Sequence, residues 1–468
     1  MKQTKNEGMI MFFKQIKTPG LGCFSYMIGC PIAGTMAVVD PQRDTTVYLR
    51  IANKNNMQIT HIFDTHVHAD HISGSQQLRT KTGADIYIHK SASVSYGAKK
   101  VKEGDEFTFG NALIRVLHTP GHTPNSISLL ISDTARSIEP EMILTGDLLF
   151  VGDIGRPDLP GEKILDKQIE NLYNCLYKKL KNLPDHLEVY PGHGQGSLCG
   201  QGMSAKQFST LGYEKIANPM LQFSNFMDFK RVVLSNLPAR PQSFSAIISK
   251  NTANIPFISK CDSKKYALSA DETDKLHKTG IVVLDLRDAL SFSAAHIPKS
   301  IHVDASKANF LNWIGMVIAP GTQIILILPA CKNFEEILLE LQRIGYDKDV
   351  NGWLKGGIHT WIESGQETQR LPHISATNLR MRLAKTNSPV LIDVRTAGEI
   401  EYTKIKEAIN ISFDSILQQN FYLDHQKETV VVCQSGYRAS IAASLLQAQG
   451  YTNISILSGG MNAWTMLK

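Results

Sequence analysis

The sequence predicts an α/β protein in which an N-terminal α/β sandwich is followed by two tandem copies of a smaller α/β domain. The first observation is the length, because 468 residues exceed what one hydrophobic core usually holds and indicate about three domains. The second is that short apolar runs alternate with turn signals and helical stretches in the N-terminal part. The third is an internal repeat in the C-terminal part, where strand and helix patterns recur in the same order.

Composition and charge narrow the class of protein. Hydrophobic residues make up 43% of the chain and charged residues 20%, which is typical of globular proteins. The net charge is +6, but the lysines are scattered, so we expect neither nucleic-acid binding nor a membrane surface. No apolar stretch approaches the roughly 18 residues that span a bilayer, and no signal peptide is evident, which predicts a cytoplasmic protein. The seven cysteines form no CxxC pair and are predicted to be free thiols.

Polar residues with metal-binding side chains follow several predicted strands. The strand Gln58–Phe63 runs into the segment HVHADH at 66–71, and Met142–Thr145 runs into Gly146-Asp147. Loops held by a rigid sheet can bring such side chains to one point, and glycines let the backbone turn beside them. We therefore predict a metal site with one or two ions. Its candidate residues are His66, His68, Asp70, His71, His122, Asp147 and His193.

The C-terminal part repeats a strand–helix domain. The segment LDLR at 284–287 recurs as IDVR at 392–395, and the glycine pair at 356–357 recurs at 459–460. The alternation of strands and helices in each copy predicts a mainly parallel sheet covered by helices. The expected boundaries are 1–240 for the first domain, 241–264 for a linker, and 265–370 and 371–468 for the two copies.

One cysteine in the last copy has a setting suited to sulfur chemistry. Cys433 ends the apolar strand 430–432 and is followed by a glycine-containing loop and a helix. Loop N–H groups and a helix N-terminus favour the thiolate, and Arg438 offers a positive charge to an anion. In the middle copy Leu328 takes the position of Cys433, while Cys331 lies three places later. We interpret the middle copy as inactive and Cys331 as a bystander.

The metal-binding segments carry a family resemblance. The motifs THVHADHISGS, TPGHTPNS, TGDLLF and YPGHG resemble the metallo-β-lactamase superfamily over about residues 10–240. The resemblance implies an αββα sandwich. Within that superfamily, DTHVHADHISGS is similar to the persulfide dioxygenases and to the glyoxalase II hydrolases about equally. The metal motif alone therefore leaves both activities open.

The two relatives imply different roles for the same residues. Resemblance to the dioxygenases implies one Fe(II) per chain on His66, His122 and Asp147. His68, Asp70, His71 and His193 would then surround and orient these ligands. Resemblance to the hydrolases implies two zinc ions per chain, the second held by Asp70, His71 and His193.

Two features favour the dioxygenases. Glyoxalase II enzymes carry a sizeable helical substrate domain after the last metal-site histidine, whereas here only about fifty residues precede the predicted linker. The segment Gly155-Arg156-Pro157-Asp158 also resembles a stretch of the dioxygenases. For Arg156 we consider two roles, a salt bridge and the binding of an anionic substrate.

The last copy resembles the single-domain rhodanese sulfurtransferases through IDVRTAGE, CQSGYRAS and GGMNAW. That resemblance implies that Cys433 carries sulfur as a persulfide, with Arg438 beside it. Dioxygenase–rhodanese fusions with an inactive middle copy suggest a second carrier, Cys199, six residues after His193. The alternative for Cys199 is an ordinary loop cysteine. Such fusions also suggest a homo-oligomer.

These resemblances together imply an Fe(II)-dependent persulfide dioxygenase–sulfurtransferase that acts in sulfide detoxification. Its substrates would be O₂ and a persulfide of a small thiol such as glutathione, coenzyme A, cysteine or bacillithiol, and its products sulfite and thiosulfate. A first alternative is a binuclear zinc thioester hydrolase with accessory rhodanese modules. A second alternative is a non-enzymatic sulfur relay or sensor.

Overall fold

A computed structural model describes residues 11–200, 202–237, 240–258 and 261–467. The chain divides into two compact units, the first formed by the chain up to Ser259 together with Leu339–Gly345, and the second by the rest. None of the helices in these described ranges is long and apolar enough to cross a bilayer.

The first unit contains two six-stranded sheets. The first sheet has the order β1-β2-β3-β4-β5-β6, formed by Phe12–Lys17 (β1), Phe24–Cys30 (β2), Thr35–Val39 (β3), Gln58–Phe63 (β4), Asp85–His89 (β5) and Lys99–Val101 (β6). The second is formed by Glu106–Phe109 (β7), Ala112–His118 (β8), Ile127–Asp133 (β9), Met142–Gly146 (β10), Glu188–Pro191 (β13) and Ser209–Thr210 (β14), in the order β14-β13-β10-β9-β8-β7. A hairpin of Leu149–Phe150 (β11) and Asp153–Ile154 (β12) lies between β10 and β13 in the chain.

The described residues of this unit form the helices Thr46–Lys54 (α1), Ser75–Thr82 (α2), Leu165–Asn174 (α3), Leu211–Ala217 (α4), Phe226–Ser235 (α5) and Ser243–Thr252 (α6). Short 3-10 turns lie at Glu162–Ile164, Leu180–Asn182 and Pro219–Leu221, and a π turn lies at Cys175–Lys179.

Alternating side chains explain the layers. In β10, Leu144 joins the core shared by the inner faces of the two sheets, while Ile143 joins a second core with Leu172 of α3. In β2, Ile28 lies in the same inner core, whereas Met27 packs in a third core with Tyr48 of α1. Successive strand residues point to opposite faces, so each sheet buries one face against the other sheet and one against helices. The predicted αββα sandwich is confirmed.

The segment that we expected to be a linker contains α6. Phe244 and Ile247 of this helix are buried, and the Asn251 amide donates hydrogen bonds to the backbone carbonyls of His68 and His71. The helix spans residues 243–252 and belongs to the first unit. It therefore supports the predicted metal-binding loop instead of connecting domains.

The second unit contains two parallel five-stranded sheets of the same topology. The first has the order β15-β19-β18-β16-β17 and the second β20-β24-β23-β21-β22, with the strands numbered along the chain. They are Ala267–Leu268, Val282–Asp285, Ile301–His302, Ile324–Ile327 and Val350–Leu354 (β15–β19), then His373–Ile374, Val390–Asp393, Ala408–Asn410, Thr429–Val432 and Ile454–Leu457 (β20–β24). The two predicted copies are confirmed.

Helices alternate with these strands along the described part of both copies. In the middle copy they are Ala270–Lys278 (α7), Ala289–Ala294 (α8), Phe310–Val317 (α9), Phe334–Arg343 (α10) and Gly357–Glu363 (α11), preceded by a 3-10 turn at Ser263–Tyr266. In the last copy they are Ala376–Leu383 (α12), Ala397–Tyr402 (α13), Phe413–Gln418 (α14), Tyr437–Ala448 (α15) and Gly460–Thr465 (α16).

Candidate functional site

The predicted metal-binding residues lie in loops that leave the two sheets of the sandwich. Residues 66–71 follow β4, Asp147 follows β10, and His193 follows β13. His122 lies in the loop between β8 and β9. The backbone approaches closely here, because a Cβ added at Gly192 would collide with the Asp147 carboxylate. Strand ends and close backbone contacts thus bring distant parts of the chain to one buried site.

Three side-chain atoms converge without hydrogen-bond partners. His66 Nε2, His122 Nε2 and Asp147 Oδ2 are buried, and none has a hydrogen-bond partner within the described ranges. These ligand atoms lie within 4.8 Å of one another, and the last two are 3.3 Å apart. A buried polar atom without a partner is costly, so three at one point indicate a missing partner that all three share. The set of two imidazoles and one carboxylate fits a transition-metal ion.

Neighbouring groups fix which nitrogen of each histidine faces that point. The Thr65 hydroxyl donates to Asp40 Oδ2 at 2.8 Å, so it must accept from His66 Nδ1 at 2.9 Å. His122 Nδ1 donates to the backbone carbonyl of Arg156 at 2.7 Å. In both rings the remaining Nε2 lone pair is left for a metal, which is the usual role of groups behind metal-binding histidines.

The ionisation of the three groups suits metal binding. Burial lowers the pKa of His66 and of His122, so both imidazoles are neutral at neutral pH. Burial opposes ionisation of Asp147, but His193 and His122 outweigh it and hold the pKa of this carboxyl well below its usual range. Two neutral imidazoles and one carboxylate are therefore present before any ion binds.

A second group of predicted residues is paired internally. His193 donates to Asp147 Oδ1 and to Asp70 Oδ2, both at 2.8 Å, and His71 Nδ1 lies 3.1 Å from Asp70 Oδ1. Burial lowers the pKa of His193, but Asp147 and its other anionic neighbours raise it well above its usual value, which makes the ring an imidazolium. The Cys23 thiol, which the sequence analysis overlooked, donates to Asp70 Oδ2 at 3.0 Å. The three side chains Asp70, His71 and His193 thus already have partners.

His68 differs from both groups. Its Nε2 donates to Asp40 Oδ1 at 3.0 Å, while its buried Nδ1 has no hydrogen-bond partner in the part of the chain that the structure describes. Asp40, also overlooked in the sequence, accepts from Thr65 and His68 together and has a φ of +50°. Its signal in the sequence was a carboxylate at the end of an apolar strand, because Asp40 directly follows β3.

Arg156 and Cys199 are both buried. Two guanidinium nitrogens of Arg156 donate to Asp158 at 2.7 Å each, so the salt bridge that we considered for this residue is formed. Cys199 is 1% exposed, and its sulfur lies within 4.8 Å of ligand atoms of Asp70 and His193. Burial raises the pKa of the Cys199 thiol to about 12. Cys199 therefore lies inside the site, and its role as a sulfur carrier stays a prediction.

The Cys433 loop has the predicted form. Cys433 directly follows β23, and the Gly436 N–H donates to its sulfur at 3.1 Å. Gly436 has a φ of +105° and precedes α15. Arg438, in the first turn, forms two hydrogen bonds with the Glu399 carboxylate at 2.7 and 2.6 Å. The sequence analysis did not predict this pairing of Glu399. The local pattern indicates only that Glu399 forms a capping box with Thr396 at the start of α13.

The middle copy keeps the scaffold but not the thiol. Ile327 pairs with Asp285 in the same register in which Val432 pairs with Asp393. Leu328 therefore takes the position of Cys433, as predicted from the repeat. Cys331 is exposed.

Family models match both parts of the chain. The metallo-beta-lactamase superfamily model matches residues 18–193, and the rhodanese-like domain model matches residues 269–364 and 375–467. The chain belongs to the metallo-β-lactamase superfamily, in a fusion with two rhodanese-like domains. The predicted fold class and the fusion architecture are confirmed.

Particular relatives come from both branches that the sequence left open. The chain is 25% identical over 252 residues to the mitochondrial persulfide dioxygenase ETHE1 of Bos taurus, covering 54% of this chain and 91% of the relative. It is 31% identical over 173 residues to a hydroxyacylglutathione hydrolase of Nitrosococcus oceani, covering 36% of this chain and 61% of the relative.

A solved structure covers more of the chain. A metallo-beta-lactamase from Staphylococcus aureus superposes with a TM-score of 0.66 at 32% sequence identity. The superposition covers 73% of this chain and 98% of that one. Because it extends well beyond residues 18–193, the similarity includes part of the rhodanese-like region.

Proposed function

We propose that this chain is an Fe(II)-dependent persulfide dioxygenase joined to a rhodanese sulfurtransferase, acting in sulfide detoxification. The observation that carries the proposal is the division of the predicted ligands into two groups. His66, His122 and Asp147 present unpartnered atoms to one point, whereas Asp70, His71 and His193 are paired with one another. Two histidines and one carboxylate that leave open positions are the ligand set of non-haem Fe(II) oxygenases.

The similarity to ETHE1 supports the same choice. The matched region covers 91% of the dioxygenase's length but 61% of the hydrolase's length, so the similarity includes more of the dioxygenase than of the hydrolase. Rhodanese-like domains in the same chain also make a sulfur compound the expected substrate.

The proposed reaction is balanced without a further reductant. A thiol persulfide anion, O₂ and water give a thiolate, sulfite and two protons. Iron bound by His66, His122 and Asp147 would supply the O₂-dependent oxidation of the terminal sulfur. The protein's own part is to orient the ligands: His193 bridges Asp147 and Asp70, and burial keeps bulk water away.

Cys433 would carry out the second step. Its thiolate attacks the outer sulfur of a thiol persulfide, which breaks the S–S bond of that donor, releases its thiol and leaves Cys433 as a persulfide. Attack of sulfite on the outer sulfur of the Cys433 persulfide then releases thiosulfate and restores the thiolate. The Gly436 N–H, which donates to Cys433 Sγ, would stabilise the thiolate that begins and ends this cycle. Leu328 offers no such nucleophile, so the middle copy would transfer no sulfur.

A specific observation keeps the zinc hydrolase as the second candidate. The buried Nδ1 of His68 has no hydrogen-bond partner in the described ranges, so a further imidazole nitrogen of the kind that zinc prefers stays open beside the paired residues. The hydrolase relatives, at up to about a third identity, support this alternative. It requires a second zinc on Asp70, His71 and His193, which would have to break their mutual hydrogen bonds.

Metal analysis and turnover of the anaerobically purified chain distinguish the candidates. We expect about one iron per chain, O₂ uptake with glutathione persulfide, and no hydrolysis of S-lactoylglutathione. Two zinc ions per chain with thioester hydrolysis and no O₂ uptake would establish the hydrolase instead. A chain with no turnover of either substrate would return the relay or sensor to consideration.

Variants test the ligand assignment. His122→Ala should lose the metal, whereas His118→Ala should keep it, because the His118 ring stacks on His89 at a centroid distance of 3.8 Å and belongs to neither ligand group. Asp70→Asn distinguishes a site with one metal ion from a site with two, because Asp70 would bind only the second ion. The dioxygenase assignment requires that this variant still hold one iron, and a fall from two metal ions to one would contradict it.

A further inference from the structure

The middle copy contacts the helix behind Cys433 through a buried histidine. His302, the last residue of β17, donates its backbone N–H to Ser444 Oγ at 3.0 Å. Its Nδ1 lies 2.8 Å from Ser440 Oγ. Both serines are fully buried and lie one turn apart on the same face of α15. One residue of the middle copy thus bonds the last copy at two points.

The Nε2 atom of His302 determines which atom donates in the contact between His302 Nδ1 and the Ser440 hydroxyl. His302 Nε2 lies 2.9 Å from the backbone carbonyl oxygen of Arg287, which can only accept. Nε2 therefore carries the hydrogen, Nδ1 is the acceptor, and the Ser440 hydroxyl donates to it. Burial lowers the pKa of His302, which agrees with a neutral ring.

From Ser440 a short series of hydrogen bonds reaches the thiol. The Ser440 backbone N–H donates to the Gly436 carbonyl at 3.0 Å, which closes the first turn of α15. The Gly436 N–H in turn donates to Cys433 Sγ at 3.1 Å. His302 is therefore connected to the sulfur through two residues of the last copy.

The equivalent residue of the last copy does something else. Asp285 pairs with His302 as Asp393 pairs with Asn410, so His302 and Asn410 hold the same position in the two sheets. The Asn410 amide donates to the carbonyls of Asp393 and Arg395, in its own copy. The histidine keeps the corresponding bond to Arg287 and adds a nitrogen that reaches the other copy.

A second contact acts on the same turn. The Trp313 indole of α9 meets the Tyr437 ring at right angles, with centroids 6.1 Å apart, and also packs on Phe413. Tyr437 is the first residue of α15. The middle copy therefore also contacts the start of α15 through an aromatic side chain.

We propose that His302 is a positioning residue for Cys433, and that the middle copy serves to hold the sulfur-carrying loop of the last copy. The inference rests on the proposed sulfurtransferase function of Cys433. Loss of the His302–Ser440 bond releases the first turn of α15, so the Gly436 N–H no longer stays directed at the thiolate. Placement of a catalytic group by such supporting contacts affects the rate of the chemical step more than substrate binding.

The test uses the full-length protein with His302→Ala, Ser440→Ala and the double variant. Sulfur transfer from thiosulfate to cyanide gives kcat and KM, and iodoacetamide labelling of the Cys433 peptide across pH reports thiolate formation directly. We expect each single variant to lower kcat about tenfold with little change in KM, and to move the labelling midpoint upward. The double variant should lose no more than either single variant.

His277→Ala is the matched control. Both ring nitrogens of His277 bond backbone carbonyls inside the middle copy, so this variant weakens that copy without removing a bond to α15. An equal loss in His277→Ala, or unchanged kcat and labelling in Ser440→Ala, would overturn the proposal. Ser440→Ala keeps the test decisive if His302→Ala does not fold, because alanine is well tolerated in a helix. If wild-type protein transfers no sulfur, the proposed function fails, whereas the labelling profile still decides the positioning role.

Discussion

His122 donates its Nδ1 hydrogen to the backbone carbonyl of Arg156, 2.7 Å away. The same arginine is held by its side chain, which pairs with the Asp158 carboxylate. The orientation of a proposed metal ligand thus depends on an ion pair that does not touch the ligand. Arg156 is 3% exposed, which places its charge inside the protein.

The first prediction concerns this arrangement. Arg156→Ala should lower the affinity for iron about tenfold, because residues that orient a ligand commonly have effects of that size, and should leave KM for the persulfide nearly unchanged. Chelator competition measures the affinity. Arg136→Ala removes an exposed arginine paired with Glu141 and serves as the control. A raised KM with unchanged metal affinity would instead indicate an anion-binding role for Arg156.

Asp40 gives the second prediction. In the wild type, both Asp40 carboxylate oxygens accept hydrogen bonds, from the Thr65 N–H and hydroxyl and from the His68 ring. In Asp40→Asn an amide NH₂ replaces one of these oxygens and would face a donor. We expect a loss of about 1–3 kcal/mol in the free energy of unfolding, together with weaker metal binding. Denaturant unfolding of the metal-free protein measures the first effect. Asp44→Asn, which removes a carboxylate accepting from Thr46 at the exposed start of α1, should change little.

The third prediction is a pH dependence at the Glu399–Arg438 pair. Burial opposes ionisation of Glu399, but Arg438 outweighs it and lowers the pKa of this carboxyl from 4.5 to about 2. A depressed folded-state pKa contributes stability above the unfolded value that is lost as pH falls through the folded one. The cost of Glu399→Gln should therefore be full above about pH 4.5 and shrink toward pH 2.

Because Glu399 is partly exposed, we expect this cost to be only about 1 kcal/mol at pH 7. Urea unfolding of the wild type and the variant at pH 7, 5 and 3.5 measures the difference. Glu401→Gln, an exposed neighbour on α13, is the control. A difference that stays constant from pH 7 to pH 3.5 would show that the carboxylate charge is not its source.

The fourth prediction separates the two proposed steps. Cys433→Ser should abolish sulfur transfer while O₂ uptake with glutathione persulfide continues, because the thiol and the metal ligands belong to different domains. Cys331→Ser removes an exposed thiol from the middle copy and should affect neither activity. Equal loss of both activities in Cys433→Ser would argue against two independent sites.

Local patterns revealed most of the architecture. The strand predicted at Gln58–Phe63 is observed with those bounds, because its alternating pattern and the polar loop after it are local signals. The candidate metal-binding residues His66, His122 and Asp147 were also named from the sequence, since each lies in a loop that follows a strand. Their grouping as a triad was implied by the resemblance to the dioxygenases and stays a proposal. The helix α6 had a local signal too, in the spacing of Phe244, Ile247 and Ile248, which we overlooked within a polar segment.

Contacts between residues that lie far apart in the sequence could not be predicted. Cys23 meets Asp70, Glu399 meets Arg438, and His302 meets Ser440 only after the sheets have formed. None of these contacts has a fixed spacing along the chain. Their common property is that a buried polar group must find a partner, which determines the pairing in space but not in sequence.

The hydrogen bonds behind His66 and His122 have a thermodynamic consequence. Both rings are neutral and Asp147 is ionised at neutral pH, so the site already holds the protonation state that a bound cation requires. Metal uptake should then release almost no protons from these three groups, and their part of the calorimetric enthalpy should be nearly independent of the buffer's ionisation heat. Loading would therefore depend on the supply of the ion in the cell more than on the acidity around it.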